Sequence, residues 1–175
     1  MASELSLLIP TFRKLLADAI AATQARGFQI EPMITLVPPS EQAAMWKQGR
    51  TATEAELKSL ALDNAGAHFL ADCLRLAKPK ETNRITDDLP GYSWYQWGEA
   101  ATVVWIDGSH KLNYSPTFKE RPTNMNGYAV FMEEAAKLGL FTPHHCQVQY
   151  RPQASPLELC DLKEVDSEMR RRFGR

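Results

Sequence analysis

The sequence predicts an α+β fold, a single domain in which helices flank a small and mainly antiparallel sheet. Two stretches decide this. Residues 5–26 repeat apolar side chains at helical spacing: Leu5, Leu8, Phe12, Leu15, Leu16, Ala19 and Ile20 fall near one face, while Arg13, Lys14, Asp18 and Gln24 fall elsewhere. Ala100 to Ile106 is instead a short apolar run rich in β-branched and aromatic residues, and Asp107-Gly108 behind it offers a hairpin-type turn. At 175 residues the chain is long enough to bury its own core without disulfide or metal staples.

The other elements follow in chain order. Pro10 is awkward inside a helix, so the regular turns of the first helix start near it, and Gly27 suits its C-terminal cap. Phe28 to Val37 reads as a strand ended by Pro38-Pro39. Ser40 to Gln48 reads as a helix that Ser40 caps and Gly49 stops. Thr53 to Leu76 is helical in pattern, with Leu57, Leu60, Ala61, Ala65, Phe69, Leu70, Cys73 and Leu74 apolar and a break at Asn64 and Gly66. Lys78 to Pro90 is polar and reads as a loop with a short extended piece at Arg84-Ile85-Thr86, and Ser115 to Asn126 reads as a second loop. Tyr128 to Leu138 forms a helix with Tyr128, Phe131, Met132, Ala135 and Leu138 inward. Cys146 to Tyr150 suits a strand, and Pro156 to Phe173 holds a short acidic helix with Leu162, Val165 and Met169 at helical spacing.

Composition narrows the function classes. Hydrophobic residues make up 44% and charged residues 23% of the chain, as in soluble globular proteins. A net charge of −1 supplies no electrostatic drive toward nucleic acid or an anionic membrane. The one dense basic run, Arg170-Arg171-Arg172, follows Asp161, Glu164, Asp166 and Glu168 and reads as a solvated helix end. Cys73, Cys146 and Cys160 form neither a disulfide framework nor a zinc ribbon, so a reducing compartment is expected. Glu4, Pro10, Arg13, Lys14 and Asp18 break up any apolar core of a signal peptide, and no run approaches a membrane span; the expectation is a cytoplasmic protein.

Five segments, in order, carry a resemblance. They are Glu41-Gln42-Ala43-Ala44-Met45-Trp46-Lys47-Gln48-Gly49-Arg50-Thr51, Ala65 to Leu74, Leu89-Pro90-Gly91-Tyr92-Ser93-Trp94-Tyr95-Gln96-Trp97-Gly98-Glu99-Ala100, Asn126 to Leu140, and Val148-Gln149-Tyr150-Arg151-Pro152-Gln153-Ala154-Ser155-Pro156. The first is similar to EEQAALWxQGRT and the third to LPGxSWHQWGEAxD, both patterns of the M15 zinc peptidases (VanY-like D-Ala-D-Ala carboxypeptidases, endolysin-type). The resemblance implies the M15/Hedgehog-like peptidase fold. It also implies a zinc centre with three protein ligands and an open position for water. Zinc lowers the pKa of that water, and a nearby carboxylate moves the proton.

The positions that the resemblance assigns to this chemistry carry other residues. The first ligand His falls at Tyr95 and the ligand Asp at Thr102, seven residues on. The third ligand His falls at Gln147 and the catalytic acid, from a D-x-x-H element, at His144. The family's Arg ahead of the Glu-Gln-Ala helix is missing, since no Arg lies between Met33 and Gln42. A phenol with a pKa near 10 ligates zinc poorly unless activated, and the neutral oxygens of Thr and Gln suit harder cations. The resemblance therefore implies a pseudoenzyme without a catalytic residue, metal or cofactor. Its binding cleft would draw on Ser93, Tyr95, Trp97, Glu99, Thr102, His144 and Gln147, and its partner would be a protein or a cell-wall muropeptide. A phage or prophage lysis system is one setting in which such a chain would meet cell wall without a signal peptide.

Rival sites are few. His144-His145-Cys146 is the one cluster of good metal ligands, with Cys160 and His110 as candidate neighbours; a rebuilt metal site there would make the chain an active peptidoglycan peptidase. Alternate residues of a strand share a face, so His144 and Cys146 could converge. The same pair could form a thiolate nucleophile and its base. His68 reads as a packed or hydrogen-bonded histidine and His110 as a surface residue. Trp46 and Trp97 read as core.

Overall fold

The computed structural model describes residues 3–79, 82–153 and 155–174. A 3-10 turn at Leu5–Leu7 leads into α1 (Pro10–Ala25), β1 (Gln29–Ile34), α2 (Pro39–Lys47), α3 (Ala52–Asn64), α4 (His68–Leu76) and the short α5 (Trp94–Trp97). Then follow β2 (Ala100–Ile106), β3 (Leu112–Asn113), α6 (Gly127–Lys137), β4 (Phe141–His144), β5 (Gln147–Gln149), α7 (Pro156–Leu159) and α8 (Leu162–Phe173). The fold is α+β with a small antiparallel sheet, as the sequence predicts. Its contacts gather in two compact units, one of Val37–Trp97 with the C-terminal stretch from Gln153, the other of the chain up to Leu36 with Gly98–Pro152. Lys80 and Glu81 of the predicted 78–90 loop, and Ala154 of the Arg-Pro-Gln-Ala-Ser-Pro stretch, lie outside the described residues. Arg84-Ile85-Thr86 forms no strand.

The sheet unit holds strands in the order β1-β2-β5-β4, with β3 paired to β2, and every pairing is antiparallel. Both outer strands of that order contain a proline, Pro32 in β1 and Pro143 in β4, which removes ladder donors where further strands could add. Pro10 opens α1 at its first turn, where a missing N–H costs nothing. One face of the sheet meets α1 and α6: Phe12, Leu16 and Ala19 of α1 and Tyr128, Phe131 and Ala135 of α6 are fully buried with Ala101, Val103 and Trp105 of β2. Val130 joins them, whereas Met132, expected inward, is half-buried.

The helical unit is built around α4. Leu70, Ala71 and Leu74 on one side of α4 bury against Ala43 and Trp46 of α2, Leu62 of α3, Trp97, and Val165 and Met169 of α8. Trp46 and Trp97 are core residues, as expected. The predicted break falls at Gly66, whose φ of +81° is left-handed. Ser40 does not cap α2; the helix begins one residue earlier on Pro39, and Pro38 stands at its N-cap. Thr51 caps α3 reciprocally with Glu54. Arg50 donates to the carbonyls of Trp46 and Thr86 and to Asp87, and its guanidinium lies 4.1 Å from the Trp46 ring centroid. The Trp-x-Gln-Gly-Arg-Thr segment thus ties α2 to the start of α3 and to the loop that follows α4.

On α8, Glu168 accepts hydrogen bonds from Arg171 at 2.6 and 2.7 Å and from Arg172 at 2.5 Å. The Arg171 contact, then that of Arg172, pulls the carboxyl from its ordinary 4.5 down to about 2. A depressed folded-state pKa stabilises above the unfolded value and is lost as pH falls through the folded one. Glu168→Gln is therefore expected to show a smaller loss of urea midpoint than wild type as pH drops from about 5 to about 2. Equal losses in both proteins would remove Glu168 from the acid limb.

Candidate functional site

The D-x-x-H spacing of His144 and Gln147 acquires a geometric meaning in the sheet unit. β4 ends at His144, His145 and Cys146 form a two-residue turn, and β5 starts at Gln147. His144 and Gln147 are therefore directly opposite each other across the hairpin. Gln147 is in turn opposite Thr102 of β2, and Thr102 is opposite Ile34 of β1. Residues paired in this way share a face, with Cβ atoms about 5 Å apart. Ile34, Thr102, Gln147 and His144 thus form one row across four strands. Ala101, Val103 and Val148, the alternating neighbours, are buried in the core. The row therefore lies on the face turned away from α1 and α6.

A second row runs beside it. Ala100 pairs with Gln149, and Gln149 with Phe141. Arg151 donates to the Gln149 side-chain oxygen from Nε at 2.9 Å and Nη2 at 2.8 Å, and its guanidinium sits 3.8 Å from the Phe141 ring centroid. Ile34, Phe141, Gln149 and Arg151 are absent from the sequence-based cleft. The i, i+3 spacing of His144 and Gln147 was the available signal, since a two-residue hairpin joins just such a pair.

The helical unit holds Ser93, Tyr95 and Trp97. Ser93 is buried just ahead of α5, and Tyr95 is half-buried on it. Trp97 donates from Nε1 to the Gly91 carbonyl at 2.9 Å, and the Gln96 side-chain oxygen accepts from the backbone of Gly91 and Ser93. Glu99, buried in the sheet unit, uses its backbone carbonyl to accept from the Tyr150 N–H.

The cluster His144-His145-Cys146 is spread by the turn. His144 is exposed at the strand end, the His145 ring meets Tyr128 edge-on at 4.9 Å, and Cys146 packs against the apolar core. His144 and Cys146 flank a turn residue and do not alternate along one strand, which corrects the expectation of a shared strand face. Burial pushes the Cys146 thiol above its ordinary value, the opposite of what an activated nucleophile needs. Cys160 packs against the core of the helical unit. His110 is exposed in the turn after β2 with φ of +59°, and His68, also exposed, hydrogen-bonds Asp63 at 3.0 Å. Among the described residues no three His, Cys, Asp or Glu side chains gather as a metal-ligand group, and no helix is long and apolar enough to cross a membrane.

No protein-family model matches the chain, and no curated protein matches it significantly in sequence.

Proposed function

We propose that the chain is a catalytically silent relative of the M15 zinc peptidases that acts by binding a protein partner or a cell-wall peptide. The row Thr102–Gln147–His144 carries this reading. The three positions that the resemblance assigns to a ligand Asp, a ligand His and the catalytic acid stand side by side on one face of the sheet. An Asp, a His and an acid in this row would stand on neighbouring strands of one face, each about 5 Å from the next. Thr, Gln and His there offer two neutral oxygens and one imidazole, which do not fit a zinc centre. The same face carries polar side chains beside the Phe141 ring, which suits binding of a polar chain with an apolar side group.

Restoring the assigned ligands tests the reading. Wild type, dialysed against zinc and analysed by atomic emission, is expected to hold no stoichiometric metal and to release no new amines from purified sacculi. The variant Thr102→Asp/Gln147→His, which with His144 gives the row three side chains able to ligate zinc, is expected to retain about one zinc per chain. Stoichiometric zinc or amine release in wild type would show an active peptidase with a rebuilt site. A restored variant that folds and takes up no zinc would sink the assignment of the row.

A further inference from the structure

The connection between β3 and α6, residues 114–126, is long for a segment without helix or strand. Its two ends lie together at Trp105: Asn113 pairs with it in the sheet, and a Cβ on Gly127 would meet its ring. Polar side chains fix the path between these ends. The Asn113 side chain accepts from the Ser115 N–H, and the Ser115 hydroxyl accepts from the N–H groups of Thr117 and Phe118. The Asn126 amide donates to the carbonyls of Ser115 and Phe118. The turn ahead of β3 belongs to the same body, because Glu120 accepts from the Gly108 N–H.

This ordered loop turns apolar side chains outward. Leu112 is 55% and Tyr114 56% exposed, and Phe118 and Met125 are exposed with them. Its charges are sorted by sign. Lys111, Lys119 and Arg121 are exposed, and among the described residues none of them has a carboxylate partner. The two acids of the loop are half-buried and turned to backbone: Asp107 accepts from the N–H groups of Ser109 and Lys111, and Glu120 from that of Gly108. Glu31 of β1 accepts from Gln29 and stands two strands from β3, about 10 Å away across the sheet. The whole chain carries a net charge of only −1, so the outward positive charge is a local property of this loop.

A matching ligand is anionic and accepts apolar tips between its charges. A single-stranded nucleic acid needs ring faces on which bases stack. Leu112 and Met125 have none, and the Phe118 ring packs against Trp105 at 5.5 Å. An anionic bilayer meets both demands: its phosphates attract the cations, its headgroup boundary takes in aliphatic and aromatic tips, and tyrosine is favoured at that depth. We propose that the 107–126 loop is a peripheral contact site for an anionic phospholipid surface, in which Lys111, Lys119 and Arg121 meet the phosphates while Leu112, Tyr114, Phe118 and Met125 enter the headgroup boundary. The site does not need the reading proposed for Thr102, Gln147 and His144.

Co-sedimentation of the full chain with phosphatidylcholine vesicles, with and without about 30% phosphatidylglycerol, tests it. Wild type is expected to bind the anionic vesicles at least about tenfold more tightly than the neutral ones, and to lose that preference as salt rises from about 0.1 to about 0.5 M. Lys111→Glu/Lys119→Glu is expected to weaken binding to the anionic vesicles at least about tenfold. Leu112→Ser/Tyr114→Ser is expected to weaken it at least about fivefold, through lost insertion. Circular dichroism checks that both variants keep the wild-type fold, and the exposed lysine pair still decides the matter if the apolar variant does not. No binding to either vesicle, or equal binding to both, overturns the proposal, as does anionic binding that Lys111→Glu/Lys119→Glu retains. Binding unchanged in a folded Leu112→Ser/Tyr114→Ser overturns the insertion of the apolar tips. Retention of an oligothymidine by wild type, lost in Lys111→Glu/Lys119→Glu and unaccompanied by vesicle binding, would reassign the loop to a nucleic-acid strand.

Discussion

Replacing Asp166 by alanine is expected to lower the stability of the helical unit by about 3 kcal/mol. The reason lies at the start of α4. The residue at its N-cap is Ala67, which has no side-chain acceptor for the first N–H groups of the helix. Asp166 of α8 replaces the missing cap from outside the helix: its Oδ1 accepts from the Leu70 N–H at 2.8 Å. Both groups are buried, Leu70 completely and Asp166 to 7% exposure. Alanine would leave that N–H without its acceptor and remove a negative charge from the positive end of the α4 dipole. Asparagine keeps an acceptor oxygen, so Asp166→Asn is expected to cost about 1 kcal/mol. Urea unfolding followed by far-ultraviolet circular dichroism separates the outcomes. Equal midpoints for wild type and Asp166→Ala would mean that solvent caps α4, and that α8 packs on it through Val165 and Met169 alone.

Asp166 also shows where the sequence is silent. The α8 pattern of Leu162, Val165 and Met169 identifies its buried face, yet an acidic residue between two of them reads as solvated. Its burial comes from a contact 96 residues away in sequence, which no local pattern carries. Local signals served better where they were strong. Ala100 to Ile106 is a strand over those same residues, and Gly66 separates α3 from α4. They failed where a neighbour competed. Pro39 displaced Ser40 from the α2 cap because a fixed φ at the first helical position favours the earlier start. Leu57 and Leu60 counted toward the apolar pattern of 53–76, but the break at Gly66 gives α3 and α4 separate phases, and in α3 the smaller Ala55 and Ser59 turn inward. For the candidate site, the spacing of His144 and Gln147 was legible. The turn between them was not, since Pro143 makes β4 an unconvincing strand and adjacent histidines suggest nothing about chain reversal.

The second large effect concerns Trp105, and it bears on the row of Thr102, Gln147 and His144 through the strand that carries Thr102. Trp105 is fully buried on the core face of β2. Its ring lies edge-on to Phe28 and Tyr128 at 6.1 Å from each, and tilted against Phe118 at 5.5 Å. Its backbone N–H donates to the Tyr128 hydroxyl, which donates to the Asn113 carbonyl at 2.6 Å and so ties β3 and α6 to β2. Trp105→Ala is expected to cost about 4 kcal/mol through lost burial and the cavity left behind. Gly127, at the start of α6, is the counterpart: a Cβ there would sit 2.6 Å from the Trp105 ring, closer than any ordinary contact. Gly127→Ala is accordingly expected to cost about 2 kcal/mol by displacing the indole. The two effects share one volume, so they should not add. In the Trp105→Ala background the methyl added by Gly127→Ala enters vacated space, and its cost is expected to fall to about zero, a coupling of about 2 kcal/mol. A double-mutant cycle by urea unfolding measures it. Additive losses would show that Gly127 is required for the backbone path into α6 and not for contact with the indole. The coupled outcome would place an anchor of the sheet toward the far end of β2, beyond Thr102.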